Sequence, residues 1–316
     1  MKALVLENKK LLIKDIPSPL PSEKEALVKV LKAGICNTDL ELVKGYMAFE
    51  GVPGHEFVGC VVQALNKSWV GKRVVGEINI PCGQCEFCRK GEAKHCPSRD
   101  ILGITNKNGA FAEFLTLPLA NLHRLPDEVS DTRAVFVEPL AAALEILEQI
   151  RVRKDESVLV LGDGKLGLLV AQVMRLKTKK VSCLGKHRRK LNILMKKGIE
   201  TSLSVNRFHH KYDIVIEATG KEEGLRVSLS RVKPRGRVIL KSTVAGESSA
   251  DFSKIVVDEI QLIGSRCGPF LKAINLLRNE LVDVEEMVDG EFPLGRALEA
   301  FSLAQKPGTM KVLIRP

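Results

Sequence analysis

The chain has 316 residues, enough for two domains of ordinary size and a large buried core. Its 45% hydrophobic and 28% charged residues are the composition of a soluble globular protein, while one Trp, two Tyr and 11 Phe argue against a wide base-stacking surface for nucleic acid. The formal net charge of +11 suits anionic partners, yet Lys and Arg are dispersed and most read as a solvated surface; Lys186-His187-Arg188-Arg189-Lys190 is the densest basic run.

No stretch reaches the roughly 20 apolar residues of a membrane span, and MKALVLENKK lacks the apolar core of a secretory signal, so a cytoplasmic protein without a membrane partner is expected. In that setting the eight cysteines point to thiols and metal ligands rather than a disulfide framework.

Residues 1–33 read as short strands: Met1 to Leu6, Leu11 to Ile13, a break at Pro17, Pro19 and Pro21, then Ala26 to Ala33. Gly34 releases the chain into GICNTDLELVKGYMAFEGVPGHE, ending at Glu56. A Cys thiolate and a neutral His are zinc donors, and a catalytic zinc needs a further protein ligand and an open position. Cys36 and His55 are therefore candidate catalytic zinc ligands, and Thr38 has a hydroxyl able to pass a proton from the substrate. A buried core thiol and a structural imidazole are the plainer alternatives for such a pair. Phe57 to Leu65 and Arg73 to Val75 continue the strand pattern, with Cys60 expected in the core. This first third reads as a small, partly open β barrel with long functional loops.

Cys82, Cys85, Cys88 and Cys96 follow with spacings that can close around one tetrahedral zinc held by four thiolates. An iron–sulfur cluster also takes four thiolates, but its signature normally continues with a third short gap before Cys-Pro, and here the last gap is long. Asn108 to Leu115 reads as a turn and strand, and Asp131 to Ile150 as helical. Pro139 should break that helix near Glu138, placing a carboxylate at a bend among apolar residues. Glu138 is then a metal ligand or paired group, or an exposed helix cap.

Ser157 to Leu161 is a continuous apolar run, as in a parallel strand buried on both faces. It leads into Gly162-Asp163-Gly164-Lys165-Leu166-Gly167 and an apolar helix, the context that the dinucleotide fingerprint requires. In that reading Gly162 makes the tight turn, Gly164 lets the backbone approach a pyrophosphate, and Gly167 allows close helix–strand packing. Gly162, Gly164, Lys165, Leu166 and Gly167 are thus candidate cofactor-binding residues. After the second strand, Lys180 to Leu184, the position that usually carries a ribose-binding acid is Gly185, followed by Lys186, His187 and Arg188. No carboxylate there would repel a 2′-phosphate, and the cations could pair with it, so NADP is predicted over NAD; a basic surface helix start is the alternative. Strands at Asp213 to Glu217, Arg237 to Lys241 and Glu259 to Ile263 complete a doubly wound sheet of about six parallel strands. The tail, with helices near Phe270 to Glu280 and Gly295 to Ala304 and a strand Lys311 to Ile314, is expected to rejoin the first domain.

Together GICNTD, GVPGHEFVG, PCGQCEFC with Cys96, GAFAEF, FVEPLA, VLGDGKLG, DIVIEATG and GTMKVLI resemble the zinc-containing medium-chain dehydrogenase/reductase family of the alcohol, polyol and glucose dehydrogenase type, over essentially the whole chain. The resemblance implies an α/β protein with a GroES-like catalytic domain, residues 1–139 and 267–316, around a Rossmann domain, 140–266, with the active site in the cleft between them. It implies Cys36, His55, Glu56 and Glu138 around a catalytic zinc, Asp39 orienting the zinc-binding His, and Thr38 relaying the proton; Cys82, Cys85, Cys88 and Cys96 would hold the structural zinc. Glu138, where alcohol dehydrogenases carry a second Cys, is similar to the polyol and glucose dehydrogenases. Glu41 stands where many members have a relay His. The expected activity is hydride transfer between an alcohol (polyol, sugar or simple alcohol) and NADP, in a homo-oligomer, dimer or tetramer. The alternatives are an NADPH-dependent aldehyde or ketone reductase, and a non-catalytic NADPH- or nucleic-acid-binding protein on the same fold.

Overall fold

A computed structural model of the chain describes residues 1–208, 210–242 and 249–316. It divides into two compact units: Met1–Glu138 with Phe270–Pro316, and Pro139–Pro269.

The first unit opens on an antiparallel hairpin, β1 (Lys2–Glu7) and β2 (Lys10–Asp15), followed by the long strand β3 (Glu25–Gly34). β3 alternates buried Ala26, Val28 and Val30 with less buried neighbours, the period-2 pattern of a strand with one face in a core. After it come α1 (Asn37–Val43), β4 (Glu56–Ala64), β5 (Arg73–Gly76) and β6 (Asn79–Ile80). The cysteine-rich segment contains the one-turn α2 (Glu86–Arg89) and is followed by β7 (Asp100–Leu102), β8 (Asn106–Lys107), β9 (Phe114–Pro118) and β10 (Leu122–Arg124). Cys60, expected in the core, is only half-buried: it lies opposite Arg73 in the β4–β5 ladder.

The helical stretch that follows is split into α3 (Asp131–Ala134), capped by Ser130 Oγ on the Arg133 amide, and α4 (Val137–Gln149). The expected break is present, but not at Glu138. Pro139 is the third residue of α4, inside the first turn, where its missing N–H costs nothing. Its ring excludes the helical carbonyl four residues earlier, so the interruption falls at Val135 and Phe136, and Glu138 begins a helix rather than ending one.

The second unit contains β11 (Val158–Leu161), α5 (Lys165–Arg175), β12 (Val181–Leu184), α6 (Arg188–Met195), β13 (Glu200–Ser202), β14 (Tyr212–Glu217), α7 (Glu222–Arg231), β15 (Val232–Leu240), α8 (Phe252–Val257) and β16 (Gln261–Gly264). All pairings in its six-stranded sheet are parallel, in the order β13-β12-β11-β14-β15-β16. β11 is buried at every residue, as its unbroken apolar run requires of a central strand covered on both faces. Tyr212, Phe208, Leu229 and Val238 pack in one cluster on this sheet.

Back in the first unit, α9 (Phe270–Arg278), β17 (Val288–Pro293), α10 (Ala297–Ala304) and β18 (Lys311–Arg315) complete the chain. β18 pairs antiparallel with β3, closing the sheet order β10-β5-β4-β3-β18-β17, with β9 also on β3. This pairing carries Lys311 from the end of the chain to the start of β4. The architecture is a GroES-like sheet domain with a Rossmann-type parallel sheet. Among the described residues, no helix is long and apolar enough to cross a membrane.

Candidate metal and cofactor sites

β3 ends at Gly34, and Cys36 caps α1. Its backbone amide donates to Asp39 Oδ2 at 2.7 Å, a reciprocal cap that fixes the first turn. Asp39 is wholly buried, and its other oxygen faces His55 Nδ1 at 3.4 Å. Both atoms are buried without a hydrogen-bond partner at normal distance. With Nδ1 turned toward the Asp39 carboxylate, the ring's other nitrogen is the one left for a ligand. Burial opposes charge on His55, but Asp39 and Cys36 outweigh it and hold the ring's pKa well above its ordinary value.

The ligand atoms of Cys36, His55 and Glu56 lie within 4.8 Å of one another. A thiolate, an imidazole and a carboxylate at that separation fit the donor chemistry of zinc. Thr38 Oγ1 lies 3.8 Å from Cys36 Sγ. Glu138, at the start of α4, stands outside that triplet. Glu41 is exposed and ion-paired to Lys44 at 2.8 Å.

Sequence reasoning missed Lys311 at this site. It is 0% exposed, its Nζ pairs with Glu56 Oε2, and it sits 5.6 Å from the centre of the Phe136 ring. Burial would push its pKa down, but Glu56, with Cys36 and Glu138 adding to it, holds it above the ordinary lysine value. The one available signal was a Lys at the head of a strand otherwise apolar through Ile314.

The second thiol cluster is also assembled. The sulfurs of Cys82, Cys85, Cys88 and Cys96 lie within 4.8 Å of one another. The Cys85–Cys88 and Cys82–Cys88 sulfur separations are 3.4 and 4.0 Å, and the Cys82 amide points at Cys96 Sγ at 3.4 Å. Tetrahedral Zn–S bonds of about 2.3 Å require sulfurs about 3.8 Å apart. Amides of Gln84 and Cys85 bring the Cys82 thiol down to about 6, whereas desolvation and the Cys85 thiol push Cys88 up to about 11. Four thiolates cannot share so small a volume without a cation, so this donor set also fits zinc.

In the second unit the glycine-rich turn joins β11 to α5. Gly162 has φ +112°, and a Cβ on Gly162 or Gly167 would lie 2.5 or 2.0 Å from a backbone oxygen. Gly164, the N-cap of α5, has no atom within 4 Å of where its Cβ would stand. Two glycines are thus demanded by the chain's own packing. The third leaves open space in front of a helix N-terminus, where a pyrophosphate can meet backbone amides. Lys165 and Leu166 are half-buried in the first turn of α5. At the end of β12, Gly185 is buried, Lys186 and Arg188 are exposed, and His187 is half-buried. That region does carry a carboxylate, contrary to the expectation from Gly185: it comes from Asp163, whose Oδ2 accepts the amides of Lys186 and His187.

Residues 22–127 match the family model described as an alcohol dehydrogenase GroES-like domain, and residues 132–315 match that described as a glucose dehydrogenase C-terminus. The chain is 27% identical to the erythritol/L-threitol dehydrogenase of Mycolicibacterium smegmatis, covering 96% of the chain and 94% of that protein. It is 29% identical to the D-arabitol-phosphate dehydrogenase of Enterococcus avium, covering 95% and 92%. Among solved structures, a short chain alcohol dehydrogenase of E. coli CFT073 complexed with NADH superposes with a TM-score of 0.93 at 26% identity, covering 100% and 99% of the two chains. A zinc-binding dehydrogenase of Sinorhizobium meliloti 1021 bound to NADP gives 0.91 at 27% identity, again covering 100% and 99%. The fold, the two metal-type clusters and these matches lead to one conclusion: the chain belongs to the zinc-type medium-chain dehydrogenase/reductase family of alcohol oxidoreductases.

Proposed function

We propose that the protein is a zinc-dependent dehydrogenase that moves a hydride between a polyol-class alcohol and NADP. The observation that carries this reading is the convergence of Cys36, His55 and Glu56, oriented from behind by Asp39. Cys36 and His55 would hold the catalytic zinc, with Glu56 and Glu138 as the candidate carboxylates; Cys82, Cys85, Cys88 and Cys96 would hold a structural zinc. Bound zinc supplies Lewis acidity that polarises the substrate oxygen, and the nicotinamide supplies the hydride acceptor.

The chain's own residues do the rest. Asp39 faces Nδ1 of His55, which leaves Nε2 for the metal. Lys311 balances the charge that Glu56 and Cys36 bring into a buried place. Thr38, beside the Cys36 sulfur, takes the hydroxyl proton of the alcohol as the carbonyl forms. Thr38 would release its own hydroxyl hydrogen as it takes that proton; Glu41, at the position of the family's relay His, is a surface group ion-paired to Lys44. The turn at Gly162–Gly167 would seat the pyrophosphate, and Lys186 and Arg188, exposed beside Gly185, support a 2′-phosphate and hence NADP. The polyol and polyol-phosphate activities named for the relatives support the substrate class. The sheet edge at β16 and the exposed Phe252, Val256 and Val257 of α8 support a homo-oligomer.

The test is NADPH formation by zinc-loaded protein on a panel of polyols, sugars and simple alcohols, with NAD for comparison. Polyol oxidation with NADP is expected. Cys36→Ser should lower turnover by about 1,000-fold or more while NADPH affinity stays within about threefold. Full activity in that variant would remove the catalytic-zinc assignment.

A further inference from the structure

Resting on the NADP reading above, we propose that Asp163 is the positioning residue for the 2′-phosphate pocket: reaching out of the glycine-rich turn, it fixes the segment Gly185–His187. β12 ends at Leu184, and Gly185 has no side chain. A Cβ built on Gly185 would stand 2.6 Å from Asp163 Cβ and 2.7 Å from its Oδ2. The niche that a side chain at 185 would enter is therefore filled by Asp163, and an acid at 185 cannot coexist with it in this arrangement.

Asp163 Oδ2 accepts the Lys186 amide at 2.8 Å and the His187 amide at 2.6 Å, and lies 3.1 Å from His187 Nδ1. Asp163 itself is only 7% exposed. An acid projecting from position 185 would offer its oxygens outward to a ribose hydroxyl. This carboxylate is instead turned inward: two backbone amides of the same segment donate to it, each a charge-assisted contact, and the His187 ring nitrogen lies beside it. Its charge is taken up by the backbone and imidazole it holds, while Lys186 and Arg188 remain exposed on either side of His187. Fixing the segment before the cofactor arrives removes an ordering cost that only a ligand contacting that segment would otherwise carry. NADPH contacts it through the 2′-phosphate; NADH, lacking that group, depends on it far less.

The experiment is fluorescence titration of zinc-loaded protein with NADPH and with NADH, for wild type, Asp163→Ala and Asp163→Asn. Losing the inward contacts in Asp163→Ala should weaken NADPH about tenfold or more while NADH changes less than about threefold. Asp163→Asn keeps an acceptor for both amides and should bind NADPH within about threefold of wild type. NADPH binding equal to or tighter than wild type in Asp163→Ala would mean that the carboxylate repels the phosphate, and would overturn the proposal. An equal loss for both cofactors would also overturn it, since that is the signature of a generally damaged turn. If the wild-type protein binds NADH more tightly than NADPH, the NADP reading fails; the Asp163 comparison, made within each cofactor, still decides the role of that residue.

Discussion

Replacing Lys311 with Met removes a buried ammonium and leaves the Glu56 carboxylate, 1% exposed, without its partner. Met keeps most of the chain length and apolar stem, so little packing is lost. At an effective dielectric of about 20, unit charges about 4 Å apart attract by ~4 kcal/mol. Breaking a buried pair by removing one member costs ~3–5 kcal/mol, because the survivor keeps its desolvation penalty. For a domain of this size each kcal/mol moves the melting temperature by roughly 2–4 °C, so Lys311→Met should melt about 6 °C lower or more. Differential scanning calorimetry reads this directly. The double variant Lys311→Met/Glu56→Gln, which removes both charges, should regain at least half of the loss, since an amide is far cheaper to bury than an unpaired carboxylate. A Lys311→Met variant that melts within about 2 °C of wild type, or a double variant carrying the sum of the two single losses, would refute the reasoning.

Two further outcomes are expected. Cys85→Ser should reduce bound zinc from two atoms to about one per chain and lower the melting temperature by roughly 5 °C or more, because a closed thiolate site contributes folding free energy; unchanged metal content by elemental analysis would exclude the four-Cys site. Asp213 accepts from the Ser157 amide and hydroxyl and pairs with Lys233 at 2.8 Å. Partial burial opposes its charge, but Lys233 and Ser157 outweigh it and bring the carboxyl down to about 2. A folded pKa below the unfolded value of ~3.9 stabilises the fold above that pH, and the benefit is lost as pH falls toward the folded pKa. Asp213→Asn should therefore cost ~1–2 kcal/mol in urea unfolding, constant from about pH 5 to 8 and narrowing only below about pH 4. A gap that varies across the neutral range would contradict it.

The chain's local order is what the residues alone disclosed. The apolar run of β11, the glycine turn behind it and the βα alternation are written within a few residues of one another, and so are the Cys82–Cys96 spacings. Sterics and ligand geometry act over those same short spans, so the parallel sheet and the four-thiol cluster could be read directly. Pro139 shows the limit of such reading. It does signal an interrupted helix, but a proline excludes the helical carbonyl four residues before it, so the interruption lies at Val135 and Phe136 and Pro139 itself sits in the first turn of α4. Tertiary structure alone decided the rest. Lys311 meets Glu56 across 255 positions of sequence because β18 pairs with β3 beside β4. Asp163 fills the niche at Gly185 because parallel β11 and β12 bring the ends of two strands together. Both are buried charges, and a buried charge is tolerable only with a partner. The sequence displays the charge; only the pairing of distant strands determines which partner it has.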